Sequence, residues 1–160
     1  MSEDSKSEML RHCLATIAYR GGKAISNISD DFANFRASET TRTPIEILAH
    51  VGDLFDWSLS ILQGNQVWNT AKPTTWNSER LRFFDCLKNL DDYLASDSPQ
   101  NTSFEKLFQG PIADALTHVG QINLLRRLFN APVKGENYFV AEIKIGSVSE
   151  NQSPNRSEFD

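Results

Sequence analysis

Apolar residues recur at three- and four-residue steps along most of this chain, and the stretches in which they do so predict four amphipathic helices. The first spans Ser7 to Phe35, with Leu10, Leu14, Ile17, Ala24, Ile25, Ile28, Phe32 and Phe35 on one stripe. Gly21 and Gly22 interrupt it, which predicts a kink, a helix end, close packing of another helix, or backbone thinned to admit a ligand. The second begins at Thr43, where Glu46 three residues on makes a capping box and Pro44 suits the first helical position, and it extends to about Leu62. Ile47, Val51, Leu54, Phe55 and Ile61 form its apolar face, and His50 falls beside that face and not on the polar side.

Between the second and third helices, residues 63–75 contain Gly64, Trp68 and Pro73 without helical period, so a long crossover is expected there. Trp68 and Trp76 are expected to plug the core, or to cover a pocket mouth as well. The third helix is expected to be capped by Asn77 or Ser78 and to bury Leu81, Phe84, Leu87, Leu90 and Leu94. The fourth is expected from Pro111 to Asn130, with Ile112, Ala115, Leu116, Val119, Ile122, Leu125 and Phe129 inward, and residues 104–109 as a turn before it. Farther on, Phe139, Ala141, Ile143 and Ile145 alternate and predict an extended segment laid against the helices. The fold class is therefore all-α, a four-helix bundle in one domain covering residues 1–146, with residues 147–160 a mobile tail poor in apolar residues.

Composition narrows the function classes. A net charge of -5 argues against binding a nucleic-acid backbone or an anionic membrane surface, which need clustered Lys and Arg. The polar start and the lack of any run of about 20 apolar residues predict a cytoplasmic location without a membrane span. The two cysteines, Cys13 and Cys86, fall on apolar stripes and read as reduced core residues. His12, without a partner at ligand spacing, reads as solvated.

The chemistry concentrates on three residues. Asp114 and His118 are one turn apart on the flank of the fourth helix's apolar face, with Gln121 beside them. Facing helices in a bundle would set His50 opposite them. Two imidazoles and a carboxylate can hold a divalent ion and leave positions open for water or substrate. Asp114 also lies where a carboxylate simply complements a helix dipole.

The segments HVGDLFDW after TPIEILA, THVGQINLLRR, and PVKGENYFVAEI resemble the DinB-like superfamily of metal-binding four-helix bundles, over roughly residues 7–146. In that family one ligand histidine lies on the second helix and two lie four residues apart on the last, before a Gly-Gln pair. His50, Asp114 and His118 match those positions, with Gly120 and Gln121 following. Asp114 stands where many members have histidine, and Thr117 where a second histidine often falls. The resemblance further implies an up-down-down-up chain path, a homodimer, and a divalent transition metal, zinc or nickel before iron or manganese. It also implies a metal-dependent enzyme, a low-molecular-weight-thiol S-transferase or a related hydrolase or isomerase, acting on a thiol such as bacillithiol or mycothiol and an electrophilic second substrate. Asp53, one turn after His50, is the nominated catalytic base, against the alternative of a solvated acid on the helix flank. The other reading of the chain is a non-catalytic metal-binding or protein-interaction bundle.

Overall fold

The computed structural model describes residues 3–159; Met1, Ser2 and Asp160, at the outer ends of the expected domain and tail, lie outside the described residues. Helix α1 (Glu3–Ile25) runs through the Gly21-Gly22 pair unbroken. The reason is contact with α3 (Trp76–Ala95): a Cβ at Gly21 would stand 2.6 Å from Phe83 Cζ, and one at Gly22 3.2 Å from Phe84 Cζ. The glycines are thus sites of close helix packing. The chain leaves the helix at Asn27 with φ 52, and a 3-10 turn, Asp30–Asn34, carries Phe32 into the core.

Helix α2 (Pro44–Leu62) starts as its sequence dictates. The Thr43 N–H donates to Glu46 Oε2 at 2.7 Å, and the Glu46 N–H donates to Thr43 Oγ1 at 3.4 Å. The cap fixes the phase of α2, worth typically about 1 kcal/mol. Helix α3 begins earlier than expected. Thr75, not Asn77 or Ser78, is its cap, and Trp76 enters the core with its indole N–H on the Ile25 carbonyl at 3.1 Å. Its inward face is Phe83, Phe84, Cys86, Leu87, Leu90 and Leu94, while Leu81, expected inside, is exposed.

The last helix also departs from expectation. A short helix, α4 (Phe104–Leu107), capped by Ser103, precedes it, and Pro111 sits inside a wide π-type turn, Phe108–Ile112, bent at Gly110 (φ -96, ψ -106). Helix α5 (Ala113–Leu128) then begins. The Gly-Pro pair imitates a helix start in sequence, but buried Phe104 and Leu107 make the preceding turn part of the same run. Helix α5 stops where expected. Asn130 takes φ 59, its N–H donates to the Arg127 carbonyl, and the Ala131 N–H donates to the Arg126 carbonyl, a Schellman closure.

Helix α2 packs against α3 and α5, and α1 packs against the same two, around one continuous apolar cluster. Arg126 locks α5 to α1. Its buried guanidinium donates to the carbonyls of Ala24, Ser26 and Asn27, satisfying the C-terminal carbonyls of α1. Burial lowers its pKa, and the carbonyl dipoles compensate the charge.

Residues 147–160, expected to be mobile, lie against the fold as far as they are described. Val148 is buried in the core, and Glu158–Phe159 (β2) pairs antiparallel with Gly135–Glu136 (β1). Polar contacts replace the missing apolar surface: Lys23 Nζ meets Glu136 and Glu158 at 2.8 Å each, the Tyr19 hydroxyl donates to Glu136, and the Arg156 guanidinium lies 4.0 Å over the Tyr19 ring. The segment expected to alternate inward differs too, since Tyr138–Val140 is a 3-10 turn and Phe139 is 95% exposed.

Candidate metal centre

His50 emerges from the middle of α2, held in phase by the capping box and by Ile47, Val51 and Leu54 in the core. Asp114 and His118 emerge from the first two turns of α5, held by Ala115, Val119 and Ile122. The structure brings all three together. His50 Nε2 is 3.6 Å from Asp114 Oδ2, and His118 Nε2 is 3.5 Å from Asp114 Oδ1. The two imidazole rings meet edge to face with centroids 4.9 Å apart. One donor atom from each residue lies within 4.8 Å of the other two, so the group can hold a metal ion.

The donor set passes a simple test of fit. Two ligands bound at about 2.0–2.1 Å with tetrahedral angles would be roughly 3.3 Å apart. That is near the two carboxylate-to-imidazole separations, which run to different oxygens of Asp114, while the group as a whole spans up to 4.8 Å and would tighten around an ion. Gln121, one turn beyond His118, adds the outer support that such sites use. His118 Nδ1 is 3.0 Å from Gln121 Oε1, an acceptor, so a proton on Nδ1 leaves the lone pair on Nε2, the atom facing Asp114. Thr117, in the place of a second histidine, donates its hydroxyl to the Asp114 carbonyl at 2.7 Å.

Burial and access differ across the group. The His118 side chain is 12% exposed, that of His50 24%, and that of Asp114 47%. Burial above all lowers the His50 pKa, with His118 and Arg42 adding to the effect and Asp114 opposing it. Burial thereby favours the neutral imidazole, the form that ligates. Trp68 of the crossover stands over the site, its ring 5.6 Å from His50 and 5.7 Å from Trp57. Its indole N–H donates to Thr70 Oγ1 at 3.0 Å, which fixes the ring. Of the two tryptophans weighed from the sequence, Trp76 plugs the core, while Trp68 is exposed and stands beside His50.

Asp53 is neither a free base nor a solvated acid. Its side chain is 3% exposed, accepts from Arg82 Nη2 at 2.7 Å, and accepts from the Ala71 N–H at 3.1 Å. Arg82 also reaches Asp56 at 2.8 Å and the Ala49 carbonyl at 3.0 Å, entering beside Gly52. Asp53 therefore clasps the crossover to α2. Sequence reasoning missed this because Arg82 belongs to another helix. The sequence placed Gln121 beside His118 and offered a pocket-covering role for the crossover tryptophans, but not the Gln121 bond to His118 Nδ1 or the contact of Trp68 with His50.

His12 takes no part in the donor group. Cys13, half-buried, and Cys86, buried, are free thiols, and burial raises the pKa of both, which favours the unreactive thiol form. No helix among the described residues is long and apolar enough to cross a membrane. Comparison of the chain with protein-family models, with curated proteins and with solved structures finds no match.

Proposed function

We infer that this chain is a divalent transition-metal protein in which His50, Asp114 and His118 are the ligands, and that it belongs among cytoplasmic DinB-like four-helix bundles of up-down-down-up path that associate as homodimers. One observation carries the reading. Donors from α2 and α5, far apart in sequence, converge within 4.8 Å with an outer-shell amide on His118. Zinc or nickel suits two imidazoles and a carboxylate better than magnesium or calcium does.

The activity that fits is transfer or isomerisation using a low-molecular-weight thiol and an electrophilic partner. A bound ion there supplies Lewis acidity, lowering the pKa of a thiol or water. The chain's own groups do the rest: Gln121 orients His118, Trp68 shields the His50 side from water, and Asp53 with Arg82 holds the crossover in place. A non-catalytic role has one observation in its favour, since Asp114 is the second residue of α5 and complements the helix dipole with no ion present.

Elemental analysis of protein purified without chelators or a nickel column tests the reading. About one equivalent of zinc or nickel per chain is expected, as for a single three-ligand site. No retained metal, even after adding divalent ions back, overturns it. A panel of bacillithiol, mycothiol, glutathione and cysteine, each with a small electrophile, then tests the transferase activity. A rate that disappears on chelation supports transfer, and no metal-dependent rate favours the non-catalytic role.

A further inference from the structure

Beside His50 lies a cleft of about 390 Å³, walled on one side by the start of α2 (Arg42, Glu46, His50) and on the other by the crossover (Thr70, Lys72). That volume is at the small end of ligand pockets, which run from roughly 300 to 1,000 Å³. Helical side chains lean toward the N-terminus of their helix, so His50 leans toward Glu46 and the Arg42 end of the cleft.

The lining carries two acids, Glu46 and Asp53, and two cations, Arg42 and Lys72, and the two kinds differ in their partners. Glu46 is engaged by the Thr43 cap bonds, and Arg36 reaches its carboxylate at 3.5 Å. Asp53 is engaged by Arg82 and the Ala71 N–H. Each acid facing the cleft thus has partners in place. Arg42 and Lys72 are both exposed, and neither side chain makes a hydrogen bond or salt bridge among the described residues, although Arg42 lies near enough to Glu46 to help lower its pKa. A chain of net charge -5 thus places one exposed cation on each lip of a cleft lined by His50 of the candidate ligand cluster. The lip carrying Lys72 is not a loose end, because Asp53 grips the preceding residue, Ala71.

We propose that this cleft binds a small organic anion, with Arg42 and Lys72 receiving its carboxylate and the far end of the molecule reaching His50. The substrate class is a short carboxylate-bearing molecule whose other terminus is a metal donor such as a thiol. The second half of this statement rests on the metal reading above; the carboxylate half does not.

The test uses two probes of equal length, 3-mercaptopropionate and its neutral counterpart 3-mercapto-1-propanol, on the cobalt-loaded protein, with dissociation constants read from the thiolate-to-cobalt absorption. The carboxylate probe should bind about tenfold more tightly, the scale of two exposed ion pairs, and the preference should shrink at high salt. In the double variant Arg42→Gln, Lys72→Gln the preference should vanish while cobalt affinity is unchanged. Equal affinities in the parent overturn the proposal. If cobalt does not bind at all, the metal reading falls, and glutarate against 1,5-pentanediol on the metal-free protein, followed by ligand-observed NMR, judges the anion site by itself. Glutarate binding that is lost in the double variant upholds it, and glutarate binding no better than the diol overturns it.

Discussion

Replacing Asp53 by Asn separates a clasp from a base with one atom. The carboxylate accepts from Arg82 Nη2 at Oδ1 and from the Ala71 N–H at both oxygens, 3.2 Å and 3.1 Å away. An amide has a single acceptor. With its oxygen at the Oδ1 place, its NH2 stands at the Oδ2 place, donor against the Ala71 donor; turned round, the NH2 opposes the guanidinium. Either arrangement also loses the charge in a site where the side chain is 3% exposed. A hydrogen bond to a charged group contributes about 1.5–3 kcal/mol, and Arg82 keeps Asp56 and the Ala49 carbonyl, which holds the loss toward the lower end, about 2 kcal/mol. For a chain of this size that is a fall in Tm of roughly 4–8 °C. Thermal unfolding followed by circular dichroism measures it, and limited chymotrypsin digestion at Trp68 should quicken because the crossover loses its grip on α2. Metal affinity should stay within about twofold, since no ligand is touched. An unchanged Tm and unchanged cleavage, with metal-dependent turnover abolished, would refute the clasp and restore Asp53 as a base.

His50→Ala and His118→Ala should each abolish stoichiometric metal binding in a titration yet leave a helical spectrum, while His12→Ala changes neither. Asp114→Asn should weaken binding, and Asp114→His should retain a site that prefers zinc, nickel or copper over manganese; equal affinities for parent and both variants in competition titrations would remove Asp114 from the site. The pKa of His50 is lower in the folded chain than its ordinary value of 6.5, chiefly through burial, so between those values the unfolded chain binds more protons and metal-free stability rises with pH. Urea midpoints should accordingly fall as pH drops through the window just below 6.5, and His50→Ala should flatten that dependence. Gly21→Ala should destabilise, because a Cβ 2.6 Å from the buried Phe83 ring overpacks at a cost of about 1–3 kcal/mol, more than the roughly 1 kcal/mol alanine gains in a helix. Gly120→Ala meets nothing within 4 Å and should instead stabilise by up to about 1 kcal/mol; the same sign for both would contradict the packing argument.

Most of what places the candidate ligands was legible because it is local. The Thr43–Glu46 box set the start of α2 and hence the side on which His50 lies, and the four-residue spacing of Asp114 and His118 set them on one flank of α5. What escaped was tertiary. Asp53 looks like a surface acid until Arg82 arrives from α3, and Trp68 is one tryptophan of an aperiodic crossover until Asp53 draws that crossover over His50. The end of the chain escaped for a related reason: its few apolar residues predicted mobility, whereas Lys23, Glu136, Arg156 and Glu158 hold it by charge across the whole length of the sequence. At Gly110-Pro111 the local signal was present but pointed to the wrong element, since both a helix start and a wide turn within a helix tolerate the pair.

That wide turn has a consequence for how the site can be gained or lost. A π-type turn holds one residue more than an α-turn, and each residue advances a helix by about 100°, so everything after Ile112 is rotated by that angle relative to the buried Phe104 and Leu107 before it. Deleting a single residue such as Gln109 would remove the extra residue of the turn, with Pro111 still bending the helix there. Asp114 and His118 would then swing a quarter turn away from His50, or α4 would tear free of the core. The aim of the cluster is thus written into the length of a segment that contains none of its candidate ligands, and an insertion or deletion there can take the donor group apart without changing any residue in it.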